Sequence, residues 1–400
     1  MIMEFAVGRA SRLNMGLALE KLEPHGTRWD SLGWVALAGS YLLMMFYTTV
    51  TGWMLIYCWY MGFGSLEGLN PAGVGNFFNQ TLADPMVQII GMTITVAIGF
   101  AVCAMGVRRG VERIVKFMMM GLLLLLVALV ARSLMLPNAG SGASFYLMPD
   151  WKKFSDFGFL NVCNAAMNQA FFTLSVGIGA MCIFGSYQPK ERSLTGEAVW
   201  IAGLDTFVGL MAGLIIFPAC FSFGVEPGTG PGLIFVTLPN IFNSMNFGKF
   251  WGALFFIFMA FASLSSVIAV FENIISYSVD CWGMPRKRAV ALHMLGVWLL
   301  SLPCALGFST LAFVTPLGSG SSILDFEDFL VSNNILPLGG LLFLLFCCSR
   351  RGWGWNSFIQ EVDMGAGLKF PRFLRGYLTY VLPFLILILF VTGYIDKFWK

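Results

Sequence analysis

Residues Gln169–Tyr187 read QAFFTLSVGIGAMCIFGSY, and they lie within an apolar segment, 157–187, long enough to cross a bilayer. The middle of that segment, Ser175-Val176-Gly177-Ile178-Gly179, is a poor helix centre: two glycines, a serine and two β-branched residues. Each glycine costs roughly 1 kcal/mol relative to alanine inside a helix. Lipid supplies no water to satisfy loosened peptide groups, so a broken helix survives at that depth only against protein or a polar cavity. Breaks of this kind bind substrates and ions in secondary transporters. A glycine-lined packing face between membrane helices is the other reading of the same residues.

The rest of the chain agrees with a membrane setting. Hydrophobic residues make up 58% of the 400 and charged residues 11%, against about 45–50% and about 25% in soluble domains. The chain is therefore expected to be an all-α integral membrane protein. Its charges sit in short loops, so the net charge of +3 gives no reason to expect a nucleic-acid partner. The nine cysteines show no CxxC spacing, which suggests neither a disulfide framework nor a zinc site. His25 and His293 are far apart near expected helix ends, where solvated or interfacial roles outweigh catalysis or metal binding.

Spans of about 20 apolar residues are expected at 33–63, 86–105, 112–136, 157–187, 197–223, 247–280, 288–306, 322–348 and 373–396. That makes nine full spans, preceded by a stub at 1–8. The stub reaches only about 12 Å at 1.5 Å per residue, too short for a hydrocarbon core of about 30 Å. Eighteen Lys and Arg residues fall in one set of alternate loops and six in the other. The richer side is expected to be cytoplasmic, which puts the C-terminus outside. The loop 226–240, Gly/Pro-rich and then apolar, is expected to fold back over the protein. Residues 12–29, with leucines spaced among charges, read as a short interfacial helix or as a simple connector.

With Gln169-Ala-Phe-Phe-Thr-Leu-Ser and the following Gly-x-Gly, the chain resembles a bacterial neurotransmitter:sodium symporter, the family of the leucine-transporter fold. Four further stretches agree in order and spacing: Met3–Arg9 (MEFAVGR), Phe46-Tyr47 with Gly52-Trp53, Gly232–Pro239 (GLIFVTLP) and Phe261–Ser266 (FASLSS). The resemblance covers essentially the whole chain and implies an inverted-repeat helix bundle forming one transporter domain over 1–400. Within it, 1–8 would be the remnant of the family's second helix and 33–136 the rest of the first repeat. Residues 157–348 would form the second repeat and 373–396 an extra C-terminal helix. The family's first helix has no counterpart in the chain, so an N-terminally truncated, incomplete transporter is expected. A non-transporting, truncated or decayed membrane protein is the alternative.

The resemblance implies a sodium-coupled symporter of small to medium apolar amino acids in the bacterial inner membrane, working by alternating access and not an enzyme. Its partners would be the amino acid, sodium ions and the bilayer; the oligomeric state stays open. Thr173 and Asp205 would serve a first sodium site, and the fixed charge of Asp205 would make chloride unnecessary. Ala262, Ser265 and Ser266 would serve a second, although a serine pair also packs helices together. Tyr47, Phe172, Thr173, Ser175, Ile178, Val270 and Ser266 would face the substrate, with Tyr47 donating to its carboxylate and Phe172 closing over it. Ordinary aromatic packing is the competing reading for Tyr47 and Phe172. Gln169 and Asp328 would belong to an outer gate, and Ser186, Tyr187 and Asp280 to an inner latch. Asp280 and Asp328 could equally be interfacial carboxylates with no gating role. Glu4, costly in lipid unless paired, would hydrogen-bond loosened backbone at the break.

Overall fold

A computed structural model describes residues 1–228 and 230–398. Among the described residues the chain is helical with no strand; one isolated bridge joins Arg192 to Ala366. The first half runs α1 (Ile2–Ser11), α2 (Met15–Leu22), α3 (Leu32–Phe63), α4 (Pro71–Ala83), α5 (Pro85–Ala104), α6 (Arg113–Leu134), α7 (Ala139–Leu147) and α8 (Trp151–Phe157). The second half runs α9 (Phe159–Thr173), α10 (Ala180–Tyr187), α11 (Leu194–Ser222), α12 (Leu238–Ser244), α13 (Gly248–Trp282) and α14 (Arg286–Leu306). It ends with α15 (Ile323–Leu330), α16 (Leu336–Cys348), α17 (Trp355–Val362), the single turn α18 (Leu374–Gly376) and α19 (Leu382–Phe398). Short π-helical turns precede α6, α12, α16 and α19.

Eight helical stretches among the described residues are long and apolar enough to cross a membrane. The ninth expected span, 157–187, is the interrupted pair α9–α10. Local chemistry sets several ends. Asp84 caps α5 by accepting the Met86 and Val87 amides at 2.9 and 3.2 Å, with Pro85 in the first turn, where its missing N–H costs nothing. Ser193 caps α11 through the Gly196 amide, and Ser322 with Asp325 forms a capping box on α15.

The interior is organised around α13, about 52 Å long at 1.5 Å per residue. It packs against α3, α5, α6 and α14, and the Phe100 and Phe271 rings stack with centroids 4.0 Å apart where α5 meets it. The loop expected to fold back does so: a π-helical turn at Leu233–Thr237 leads into α12, and Phe235, Leu238, Ile241 and Phe242 are buried. Residues 15–22 form the short helix α2, with Met15, Ala18 and Leu19 turned into the protein.

The N-terminal stub is longer than expected, because α1 continues to Ser11 before Arg12 turns left-handed at φ 63°. Arg9, at the end of the Met3–Arg9 motif, is fully buried. Its Nε donates to Glu361 Oε1 at 2.6 Å, its Nη1 donates to the Arg192 carbonyl at 2.7 Å, and its Nη2 donates to the Glu361 carbonyl. Helices α1 and α10 lie backbone to backbone: a side chain at Gly8 would strike the Cys182 carbonyl, and one at Gly185 the backbone of Phe5. That approach carries Glu4 to the interruption between α9 and α10.

His293 corrects the sequence reading. It is 2% exposed, bonded through Nδ1 to the Tyr41 hydroxyl and through Nε2 to the Ser278 hydroxyl at 2.6 Å, so it joins α14 to α3 and α13. His25 is exposed, as a solvated histidine would be.

Candidate functional site

The interruption is built from the residues that make a poor helix. After α9 ends, Ser175 takes φ 48°, Gly177 φ 103° and Gly179 φ 71°. Gly177 is required twice over: its φ suits glycine, and a side chain there would run into the Leu336 carbonyl of α16. Freed backbone finds partners in protein. The Gly177 amide donates to Glu4 Oε1 at 2.7 Å, and Asn273 of α13 donates to the Ile178 carbonyl at 3.4 Å and to Ser40 at 3.0 Å.

Beside the break lies a cavity of about 290 Å³. Its wall contains all seven residues expected to face a substrate, namely Tyr47, Phe172, Thr173, Ser175, Ile178, Val270 and Ser266. Gln169, Asp205 and Ala262 also line it, along with Leu43, Met44 and Leu336, which sequence reasoning missed. The Tyr47 and Phe172 rings stand 6.5 Å apart, tilted by 52°. Thr173 donates to Asp205 Oδ1 at 2.8 Å. The wall therefore combines an aromatic pair and aliphatic side chains with one carboxylate, several hydroxyls and irregular backbone. Such a mixture suits a small molecule with a charged head and an apolar side chain, together with a hard cation that takes oxygen ligands.

The second expected ion site is less assembled. Ser265 and Ser266 donate to the Ala262 carbonyl of their own helix at 2.8 and 3.4 Å, and Ser265 does not line the cavity. The two residues expected at an outer gate have different settings. Gln169 is in the cavity wall, whereas Asp328 accepts from Ser332 at 2.7 Å outside it. On the inner side, Asp280 accepts from the Asn14 amide at 3.2 Å and from its side chain at 3.1 Å. Arg12 donates to the carbonyls of Ser186 and Gln188 at 3.0 and 2.7 Å, and Tyr187 faces Glu272 and Arg286. The residues expected to form an inner latch thus contact this chain's own N-terminal elements and the start of α14.

A second cavity, about 470 Å³, lies between α1, α9, α11, α16 and α19. Hydrocarbon and methionine side chains line it, with Glu4 its one charged side chain, so it offers little to an ion or a zwitterion.

The sodium:neurotransmitter symporter family matches residues 77–398. The chain belongs to that family. It is 33% identical over 390 residues to an uncharacterized sodium-dependent transporter of Bacillus subtilis, covering 97% of this chain and 84% of the relative. A second such transporter, from Haemophilus influenzae, is 32% identical over 98% of this chain and 86% of its own length. The crystal structure of MhsT in complex with L-phenylalanine superposes with a TM-score of 0.87 at 36% identity, covering 98% of this chain and 87% of that one. The fold is accordingly the leucine-transporter type, and the chain is a multi-pass membrane protein of a family of sodium-coupled transporters, not of enzymes.

Proposed function

We propose that this family member is a sodium-coupled symporter of neutral amino acids with small to medium apolar side chains. The observation that carries the reading is the Thr173–Asp205 pair at the helix break, 2.8 Å apart and facing the same cavity as Tyr47, Phe172 and Ser266. Tyr47 donates its hydroxyl to the substrate carboxylate, the backbone around Ser175 receives the head group, and Ile178 and Val270 limit the side chain. Thr173 and Asp205 ligate the first sodium ion, and Ala262, Ser265 and Ser266 the second. MhsT, solved with L-phenylalanine, supports an amino-acid substrate.

Asp205 supplies a fixed negative charge beside the first ion, so chloride is not required. Gln169 and Asp328 act in outer closure; Ser186, Tyr187 and Asp280 act in inner closure. The protein sits in the bacterial plasma membrane with its basic loops cytoplasmic and its C-terminus outside, as the eighteen-to-six distribution of Lys and Arg supports. Sodium favours the state open to the outside, and binding of substrate with ions permits closure and inward release. The test is equilibrium binding of radiolabelled L-leucine and L-phenylalanine to purified protein in sodium and in sodium-free buffer. Binding that needs sodium and survives removal of chloride supports the reading; sodium-independent binding overturns it.

A further inference from the structure

Away from the substrate cavity, α15 carries a buried carboxylate. Glu327 is 3% exposed, and its Oε2 has no hydrogen-bond partner among the described residues. The wall it meets is polar but uncharged. Thr49 of α3 is 1% exposed with its hydroxyl equally unpartnered. Cys304 of α14, fully buried, faces both Thr49 and Glu327. One step along, Thr48 donates to Ser301 at 3.1 Å, so hydroxyl chemistry continues along the α3–α14 seam.

The charged groups nearby are engaged elsewhere. Asp325 is tied into the cap on Ser322, and Asp328 accepts from Ser332 and faces Lys397 of α19. Neither α3 nor α14 brings a cation to Glu327, and Glu327 forms no ion pair among the described residues. A carboxylate with one oxygen buried and unpaired and with no counter-charge is unfavourable, and such a group becomes neutral by taking up a proton. A metal cation fits poorly: one carboxylate, one hydroxyl and a soft thiol fall short of the oxygen shell a hard ion needs. A proton fits well. Protonated, the carboxyl becomes an O–H donor beside the Cys304 sulfur, which can accept, and Cys304 in turn faces Thr49.

We propose that Glu327 is a proton-binding site that holds α15 against α3 and α14. Oε2 takes one proton from water to give the neutral acid, and no other bond changes. Losing the proton leaves a charge that must be hydrated, so water enters between α15 and the α3–α14 seam. The stretch from α15 runs through the π-helical turn Val331–Ile335 into Leu336, which lines the substrate cavity. The proton is thereby linked to the shape of that cavity. The site itself stands on the geometry of α15; its link to transport rests on the symporter reading.

Infrared difference spectroscopy of the purified protein in detergent, titrated from acid to alkaline pH, tests this. Wild type should show the carbonyl band of a protonated carboxyl at pH 7, and Glu327→Gln should lose the intensity of one such group. As the band titrates away, maleimide labelling of Cys304, followed by peptide mass spectrometry, should rise more steeply in wild type than in Glu327→Gln. Thr49→Val, a smaller perturbation, should shift the frequency of the band without removing it, and this variant decides if the glutamine protein does not fold. Equal carboxyl intensity in wild type and Glu327→Gln, or a band unmoved by Thr49→Val, overturns the proposal. Binding of ²²Na⁺ on the same samples separates the two claims: absent sodium binding with the carboxyl band intact rejects the symporter reading alone.

Discussion

The Glu4 carboxylate accepts the Gly177 amide at 2.7 Å, joining residues 173 positions apart in sequence. The bond satisfies a peptide group released by the break between α9 and α10, and the Gly8 and Gly185 contacts hold α1 close enough for it to form. Replacing Glu4 by alanine leaves that buried amide unpaired, at a cost of about 1–3 kcal/mol. Glu4→Gln keeps an oxygen acceptor and should retain most of the stability. Thermal unfolding in detergent should therefore order the proteins wild type, Glu4→Gln, Glu4→Ala; equal midpoints for the two variants would contradict the role of the acceptor.

Asp205 is the one carboxylate in the cavity wall. Removing a charged ligand should cost about 1.5–3 kcal/mol, roughly ten- to a hundredfold in sodium affinity. Asp205→Asn is expected to regain part of this loss when chloride is added, because an anion can restore the missing charge. Sodium titrations with chloride and with gluconate measure both effects. Unchanged sodium affinity in the variant removes Asp205 from the ion site.

Tyr47→Phe keeps the ring that faces Phe172 and deletes only the hydroxyl. If that hydroxyl meets the substrate carboxylate, amino-acid affinity should fall about tenfold, as for a hydrogen bond to a charged group, with little change in unfolding temperature. A variant that binds as tightly as wild type leaves Tyr47 a packing residue.

Arg9 and Glu361 form a buried ion pair that ties α1 to α17. Removing one partner strands a buried charge, typically at about 3–5 kcal/mol, whereas an apolar replacement of both is far milder. Arg9→Met should thus destabilise more than Arg9→Met combined with Glu361→Leu. Unfolding midpoints for the single and double variants check this, and additive losses would contradict it.

Several of these features were legible in the sequence because they violate a strong rule. Glycines in the middle of an apolar span marked the break, and every residue expected to face the substrate lines one cavity. A lone carboxylate within MIMEFAV marked Glu4. Leu43, Met44 and Leu336 were missed because apolar residues in apolar helices carry no signal of which face they occupy. The burial of Arg9 and of His293 was not legible because position near a helix end does not reveal burial, which depends on packing partners far away in sequence such as Glu361 and Tyr41. Asn273 was overlooked although a polar residue within α13 was visible; its partner, the Ile178 carbonyl, exists only once the helix breaks. The relation of Gln169 to Asp328 depends on side-chain geometry that their spacing does not determine.

The most direct test of the central claim is binding of radiolabelled L-leucine to wild type and Asp205→Ala as sodium is titrated at constant ionic strength. The account predicts saturable binding that appears only with sodium in wild type, and at least tenfold more sodium for half-maximal binding in the variant, by loss of a charged ligand. Binding indifferent to sodium, or the same sodium dependence in both proteins, would contradict it.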